Sequence, residues 1–276
     1  MSPPRTLSLA ALTVLELSPA EQVACAAATG YSHVGLRLVA ATPAEPQREA
    51  VGDTPLVRET EAALRDSGVQ VLDVEIVRLR PETDVAAFAA LLDTAARLGA
   101  RHVLVAGHDP DPARLAQQFA RLCELAAPLG IVPCIEPMPW TEVPDLLQAA
   151  RIVRAAAQPN AGLLVDPIHF DRAGSELSDL ASIAPAWLPY LQFCDAPAAR
   201  PTSLPELLRQ ARADRLLPGH GGLDLRGLLA AMPPAAPLSL EIPLAARLPA
   251  RQRAALALQA TRAWLAASSP SPADTG

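Results

Sequence analysis

Four short apolar segments of the sequence each end in a carboxylate or amide side chain, and these four residues are the main candidates for chemistry. They are Glu136, Asp166, Gln192 and Glu241. A brief apolar run bounded by Pro, Gly or Asp is typical of a buried strand, and a buried carboxylate at its end is unfavourable unless another group pairs with it. If the strand ends converged, the three carboxylates would repel one another, and a divalent cation would remove that repulsion. Oxygen ligands of this kind suit Mg²⁺, Mn²⁺ or a similar ion.

The chain around these segments alternates predicted strands with predicted helices. Eight strands are expected to end near Ala10, Leu38, Val77, Ala106, Glu136, Asp166, Gln192 and Glu241. The spacing from Leu104 to Cys134 and from Cys134 to Leu164 is 30 residues, and that from Leu164 to Gln192 is 28, close to the length of a βαβ unit. The alternation predicts an α/β protein with a parallel sheet, and eight repeats favour a closed (β/α)₈ TIM barrel. Active sites of such barrels lie at the carboxyl ends of the strands, where all four candidates are placed.

The length of the chain fits one such barrel. It has 276 residues, half of them hydrophobic, and a (β/α)₈ barrel typically takes about 250. We expect one domain over residues 1–267 and a disordered Ser/Pro-rich tail over residues 268–276. Capping patterns at Ser18 and at Ser203, each with Glu three residues later, predict the starts of two helices.

Composition excludes several classes of function. The net charge is −6 and no basic block exists, so nucleic acid is not an expected partner. All 23 basic residues are Arg, which excludes a lysine Schiff-base mechanism. The 4 cysteines show no paired spacing and predict reduced thiols of a cytoplasmic protein. The apolar stretch from Leu7 to Leu15 lacks a strong basic segment before it and a small-residue cleavage site after it, so we do not expect a signal peptide. No run reaches the roughly 18 apolar residues of a membrane span, so we do not expect a transmembrane helix.

Five short motifs give the sequence its resemblance to a known family. They are Ile135-Glu136-Pro137, Asp166-Pro167-Ile168-His169, Leu191-Gln192-Phe193-Cys194-Asp195, Pro218-Gly219-His220-Gly221 and Leu240-Glu241-Ile242-Pro243. With them, the chain from Leu7 to about Leu265 resembles the xylose-isomerase-like TIM barrels, also called the sugar phosphate isomerase/epimerase family. That group includes ketose 3-epimerases, hydroxypyruvate isomerase, inosose dehydratase, 3-dehydroshikimate dehydratase and endonuclease IV.

The resemblance implies a metal site and an acid–base pair. Glu136, Asp166, Gln192 and Glu241 are expected to bind one divalent ion, namely Mn²⁺, Mg²⁺, Co²⁺ or Zn²⁺, and Glu136 and Glu241 to move the proton. The epimerases usually have His at the third position, and Gln there is similar to hydroxypyruvate isomerase. His220 stands where the family's glycine-rich loop often has Glu, which puts a role for a loop acid in doubt. Endonuclease IV has a richer set of His ligands than the 5 His of this chain offer.

Five further residues are candidates for binding the substrate. By resemblance, His169 is expected to contact a substrate oxygen or to orient the metal centre; a packing or capping role is its alternative. Arg37 and Glu75, on predicted strands two and three, either bind the ligand or pair with each other across neighbouring strands. His108 follows strand four and Arg200 follows strand seven, and both are substrate-binding candidates or ordinary loop residues.

The predicted reaction is isomerisation or epimerisation of a small sugar or hydroxy-keto acid. A proton next to a carbonyl is removed to give a metal-stabilised enediolate. A metal-dependent dehydratase acting on inosose or 3-dehydroshikimate is the first alternative, because its reaction begins in the same way; a basic pocket formed by Arg37 or Arg200 would favour acidic substrates. A non-catalytic sugar-binding barrel is the second alternative. The expected partner is therefore a small molecule, without nucleic acid or membrane, and a homo-oligomer is allowed.

Overall fold

The computed structural model describes residues 5–246 and 248–268, and it confirms the predicted (β/α)₈ barrel. The strands are β1 (Leu7–Leu9), β2 (His33–Arg37), β3 (Gln70–Leu79), β4 (His102–Gly107), β5 (Val132–Ile135), β6 (Gly162–Leu163), β7 (Leu191–Phe193) and β8 (Leu238–Leu240). The α-helices are α1 (Pro19–Thr29), α2 (Pro55–Ser67), α3 (Ala89–Arg97), α4 (Pro112–Ala126), α5 (Leu146–Ala156), α6 (Pro167–Arg172), α7 (Leu177–Ala181), α8 (Leu204–Ala213), α9 (Leu225–Ala231) and α10 (Ala250–Ser268). Short 3₁₀ helices cover Ala11–Val14, Val85–Phe88, Ala127–Leu129 and Pro185–Trp187.

The eight strands form one parallel sheet whose two ends meet. The order is β6-β5-β4-β3-β2-β1-β8-β7, and each of these pairs is parallel. Beyond β6, Val165 bridges to Leu191 of β7 in parallel, and the Gln192 N–H donates to the Val165 carbonyl at 3.0 Å. This bridge closes the barrel, so the carboxyl ends of all the strands surround one opening.

The strands end within three residues of the predicted positions. Glu136 and Glu241 directly follow β5 and β8, and Asp166 lies three residues after β6. Gln192 is inside β7. The four candidate site residues therefore lie at the same end of the barrel, as the alternation of strands and helices predicts.

Two helices predicted by the sequence begin later than their apolar patterns indicate, and one short helix is not predicted. The sequence favours a helix from Thr141 to Ala157, but α5 begins only at Leu146, because Asp145 accepts from the Gln148 N–H and caps it there. The pattern from about Val85 to Leu98 favours one helix, but the structure has a 3₁₀ turn followed by α3. Helix α6 has no counterpart among the predicted helices.

The predicted tail also begins one residue too early. Ser268 is the last residue of α10. The remaining tail residues, 269–276, lie outside the described residues.

Both predicted helix caps are confirmed. The Ser18 N–H donates to Glu21 Oε2 at 2.7 Å, and the Glu21 N–H donates back to Ser18 Oγ at 3.3 Å. Ser203 Oγ accepts from the Glu206 N–H at the start of α8. Each pair satisfies backbone N–H groups that have no partner within the first helical turn.

Apolar side chains fill the barrel below the opening. A cluster inside it joins side chains of five neighbouring strands or their ends: Leu72, Ile76, Leu104, Ala106, Cys134, Met138, Leu164 and Tyr190. Its interior is therefore a packed core, and only the carboxyl end is free for a ligand. All four cysteines are buried and free of disulfides. None of the helices in the described part of the chain combines the length and apolar character needed to cross a membrane.

Candidate active site

A cavity of about 180 Å³ opens at the carboxyl end of the barrel. Five of the sequence-predicted residues line it, namely Arg37, His108, Glu136, His169 and Glu241. Glu136, His169 and Glu241 are at most 4 % exposed. The cavity therefore brings the predicted acid–base pair and three predicted substrate contacts to one place.

Glu136, Asp166 and His169 form a group that could hold a metal ion. One ligand atom from each lies within 4.8 Å of the others. His169 Nε2 is 3.7 Å from Glu136 Oε1 and 4.0 Å from Asp166 Oδ2. Glu136 Oε1 is buried and has no hydrogen-bond partner among the described residues. A carboxylate oxygen in this state is unfavourable without a cation or a proton.

Helix α6 explains how His169 reaches this group. Asp166 is the N-cap of α6: its Oδ1 accepts from the Ile168 N–H at 2.8 Å and from the His169 N–H at 3.4 Å. Pro167 occupies the first helical position, where its missing N–H is not needed. The Asp-Pro pair is the sequence signal for this helix. Cap geometry thus places the His169 ring beside the carboxylate that caps its own helix.

Arg215 enters the site without having been predicted. Its side chain is 2 % exposed, and its Nη1 lies 2.5 Å from Asp166 Oδ2 and its Nη2 2.6 Å from Glu241 Oε2. Its Nε–H donates to the Ala211 carbonyl at 2.7 Å. One guanidinium therefore compensates two of the three predicted metal-binding carboxylates. No local sequence signal marks Arg215 among the 23 arginines of the chain.

Gln192 contacts Glu241. Gln192 Nε2 donates to Glu241 Oε1 at 3.0 Å, so both oxygens of Glu241 are engaged, one by the amide and one by Arg215. The other amide atom, Gln192 Oε1, is buried without a hydrogen-bond partner among the described residues. This oxygen is therefore free to accept a hydrogen bond or to bind a cation.

The electrostatic surroundings shift the pKa values of the acidic residues of the site in different directions. Burial, together with the charges of Glu241 and Asp166, raises the pKa of Glu136 well above its usual range. Burial raises the pKa of Glu241 to about 8, although the Arg215 charge opposes this. Burial also favours a higher pKa for Asp166, but the neighbouring Arg215 and His169 outweigh this effect and hold the pKa of Asp166 below its usual range. Burial lowers the pKa of His169 to about 4. The surroundings therefore favour the ionised form of Asp166 and the neutral forms of His169 and Glu136.

Arg37 and Glu75 pair with each other, which is the alternative that the sequence left open. Arg37 Nη2 is 2.5 Å from Glu75 Oε2, and Arg37 Nη1 is 3.0 Å from Glu45 Oε1. Arg37 lines the cavity, and Glu75 is fully buried. Two carboxylates therefore already compensate this arginine.

Arg200 lies apart from the cavity. Its Nε is 3.1 Å from Asp171 Oδ2, and its side chain is 56 % exposed. It is not one of the residues that line the cavity. The structure therefore does not bring Arg200 together with the other predicted site residues.

The glycine-rich loop is fixed by Asp195. The Asp195 carboxylate accepts from the N–H groups of Gly219 at 3.0 Å, Gly221 at 2.9 Å and Leu223 at 3.2 Å. A Cβ at position 221 would lie 2.2 Å from the Ala196 carbonyl oxygen, so only Gly fits there. His220 is exposed on this loop. The loop also continues from Arg215, so its anchoring helps to position that residue.

Comparison with known proteins agrees with this architecture. The family model described as xylose isomerase-like TIM barrel matches residues 23–267. The chain belongs to this family. The match begins within α1 and ends within α10, and it includes every candidate metal ligand.

Relatives in the family catalyse different reactions. The chain is 33 % identical over 136 residues to a 3-dehydroshikimate dehydratase of Pseudomonas aeruginosa, which covers 48 % of this chain and 21 % of the relative. It is 28 % identical over 155 residues to an inosose isomerase of Halalkalibacterium halodurans, which covers 51 % of this chain and 52 % of the relative. The chain thus matches about a fifth and about half of the lengths of these enzymes.

A solved structure shows the same fold. The crystal structure of the IOLI protein with a bound zinc atom matches with a TM-score of 0.77 at 18 % identity, over 96 % of this chain and 100 % of that one.

Proposed function

We propose that this chain is a divalent-metal-dependent isomerase or epimerase of a small sugar or hydroxy-keto acid. The proposed reaction begins with removal of a proton next to a carbonyl. The observation that carries the proposal is Glu136, a buried carboxyl group in the cavity with one unpartnered oxygen and a raised pKa. A buried carboxyl group with a raised pKa suits general acid–base catalysis.

The donor set supports a metal. Glu136 Oε1 and Gln192 Oε1 are buried oxygens without hydrogen-bond partners among the described residues, and His169 is neutral, as an imidazole ligand must be. We propose Glu136, Asp166 and His169 as holders of the ion, with Gln192 and Glu241 as the further ligands that the sequence suggests. A bound divalent ion would stabilise the negative charge that develops on the substrate oxygen.

Side chains of this protein carry out the proton transfers and hold the reacting groups in position. Glu136 takes the proton from the carbon next to the carbonyl, and Glu241 returns a proton to the intermediate. Arg215 and Gln192 hold Glu241 in one orientation through both of its oxygens. Arg215 also keeps Asp166 ionised. The apolar core beneath the cavity keeps bulk water away from the barrel side of the site.

A dehydratase is the second candidate, favoured by the match to the 3-dehydroshikimate dehydratase. The first step is the same removal of a proton next to a carbonyl. The intermediate then expels a hydroxyl group from the adjacent carbon as its double bond forms, and a carboxylic acid donates the proton that completes the water molecule. Burial raises the pKa of Glu241, and a carboxyl group with a raised pKa suits this donation.

Solvent exchange tests the shared first step. The purified chain with saturating Mn²⁺ is incubated in D₂O with ketoses, hydroxypyruvate, inosose and 3-dehydroshikimate, and the products are examined by NMR. We expect deuterium at the carbon next to the carbonyl for at least one substrate. Glu136→Gln should lower the exchange rate by at least about 10²-fold, because an amide cannot accept the proton.

Three outcomes would contradict the proposal. A Glu136→Gln variant with full exchange while metal is bound would exclude Glu136 as the base. Product without any deuterium would indicate a shielded proton or a metal-assisted hydride shift in place of exchange with solvent. The absence of both exchange and metal binding would favour a sugar-binding barrel without catalysis.

A further inference from the structure

Four arginines line the cavity, and carboxylates compensate only two of them. Arg37 is paired with Glu75 and Glu45, and Arg215 with Asp166 and Glu241. The other two are Arg78 and Arg212. Among the described residues, neither has a carboxylate oxygen within 4.0 Å.

The contacts of Arg78 and Arg212 leave their charges available. Arg78 Nε donates to the Ala41 carbonyl at 3.3 Å, which satisfies one donor without compensating the charge. The Arg212 guanidinium lies 5.4 Å from the centre of the Trp140 ring, a stacking contact that holds the group in place. Burial and the positive charges of Arg37, Arg80 and Arg212 lower the pKa of Arg78. An anion beside Arg78 would relieve this repulsion.

His108 adds an unused polar group beside these arginines. It follows β4, next to the end of β3 that carries Arg78, and its N–H donates to the Leu79 carbonyl at 2.7 Å. His108 Nε2 is buried and has no hydrogen-bond partner among the described residues. The same cavity therefore contains a third group that could donate to an oxyanion.

A chain of contacts links this cluster to the proposed acid–base residue. The Trp140 ring that carries Arg212 meets the His169 ring edge-on, with 4.9 Å between the ring centres. His169 Nε2 is in turn 3.7 Å from Glu136 Oε1. Arg78, Arg212, His108 and Glu136 also line the same cavity of about 180 Å³, so one small ligand in it could contact both the cationic cluster and the base.

We propose that Arg78, Arg212 and His108 form an oxyanion subsite that binds a carboxylate or phosphate group of the substrate while its carbonyl end lies at Glu136. Planar guanidinium groups recognise both kinds of oxyanion. Only the placement of the carbonyl end at Glu136 rests on the proposed function, because anion binding itself does not depend on the reaction. The subsite selects acidic substrates, such as hydroxy-keto acids or sugar phosphates, over neutral sugars of similar size.

Anion titration of the metal-free protein tests the subsite. The full chain is freed of metal by dialysis against EDTA and then against EDTA-free buffer, so that no anion can bind through a metal ion. It is then titrated by calorimetry with inorganic phosphate, with malonate and with uncharged glycerol. We expect saturable binding of phosphate or malonate and none of glycerol. Arg78→Gln and Arg212→Gln should each weaken binding by about tenfold or more, the effect of losing one charge-assisted hydrogen bond. Circular dichroism would verify that both variants are folded.

Arg80→Gln is the matched control. Arg80 is exposed two residues from Arg78 and does not line this cavity, but its removal changes the local charge equally. We expect its anion affinity to stay within about twofold of wild type, since a charge outside the cavity is screened by solvent. Equal loss in Arg80→Gln would show a diffuse positive field and overturn the subsite, as would the absence of anion binding in wild type. Tighter binding of phosphate would assign a sugar phosphate as the substrate class, and tighter binding of malonate would assign a carboxylate substrate.

Two further results separate this inference from the proposed reaction. Glu136→Gln should retain anion binding although proton exchange is lost. If no tested compound exchanges but the arginine variants lose anion binding, the subsite stands and the proposed reaction fails. If neutral ketoses exchange as fast as acidic substrates and the arginine variants leave KM unchanged for both, the reaction stands and the subsite is overturned.

Discussion

Replacement of Arg215 by Met should destabilise the protein far more than the loss of an exposed arginine. The Met side chain keeps most of the apolar stem but removes a guanidinium that is 2.5 Å from Asp166 and 2.6 Å from Glu241. Both carboxylates are nearly inaccessible to water, so solvent cannot replace the lost charge. Removal of one partner of a buried ion pair costs about 3–5 kcal/mol, which corresponds to a decrease in Tm of roughly 5–9 °C for a chain of this size.

Urea unfolding at pH 7, followed by circular dichroism, would measure the loss of unfolding free energy. Arg209→Met is the matched control, because Arg209 also contacts two carboxylates, Glu206 at 2.8 Å and Asp214 at 2.5 Å, but its side chain is 50 % exposed. Exposed ion pairs contribute little because water screens them. A loss below about 1 kcal/mol for Arg215→Met, or one equal to that of the control, would refute the assignment of Arg215 as the buried counter-ion of the site.

Three other predictions concern the pH response, the loop and the metal. Burial lowers the pKa of His102 to about 4; below its unfolded pKa of about 6.5 only the unfolded state binds the proton, so stability should fall by up to about 3 kcal/mol between pH 6.5 and 4. In this pH window the urea unfolding midpoint of His102→Gln should change less with pH than that of wild type. An equal change of the midpoint with pH in both proteins would contradict the low pKa of His102. Asp195→Ala removes the acceptor of three loop N–H groups and should cost about 3 kcal/mol or more, with faster hydrogen exchange at Gly219 and Gly221; protection equal to wild type would contradict the anchoring role. Mn²⁺ at 100 times its Kd should stabilise the protein by about 2.7 kcal/mol, and Asp166→Asn should reduce this gain; an equal gain in the variant would exclude Asp166 as a ligand.

The barrel and the placement of its acidic residues could be predicted from local sequence. Strand and helix patterns repeat at about 30 residues, and eight such repeats leave few topologies other than a closed parallel barrel. Because strand ends in a barrel share one rim, residues that follow the apolar runs must converge. Ligand atoms of Glu136 and Asp166 accordingly lie within 4.8 Å of each other, although one residue follows β5 and the other follows β6.

The arginines of the site could not be predicted in this way. Arg215 contacts a carboxylate that is 49 residues away in sequence, and Arg212 is positioned by a tryptophan from another loop. Arg200, which the sequence made a candidate, instead pairs with Asp171 at the surface. A long, flexible side chain on a loop or helix end carries no periodic signal, since its partner depends on which buried charge lies within its reach. Only the tertiary structure determines which carboxylates are desolvated, and hence which of the 23 arginines are bound to them and which are free for an anionic ligand.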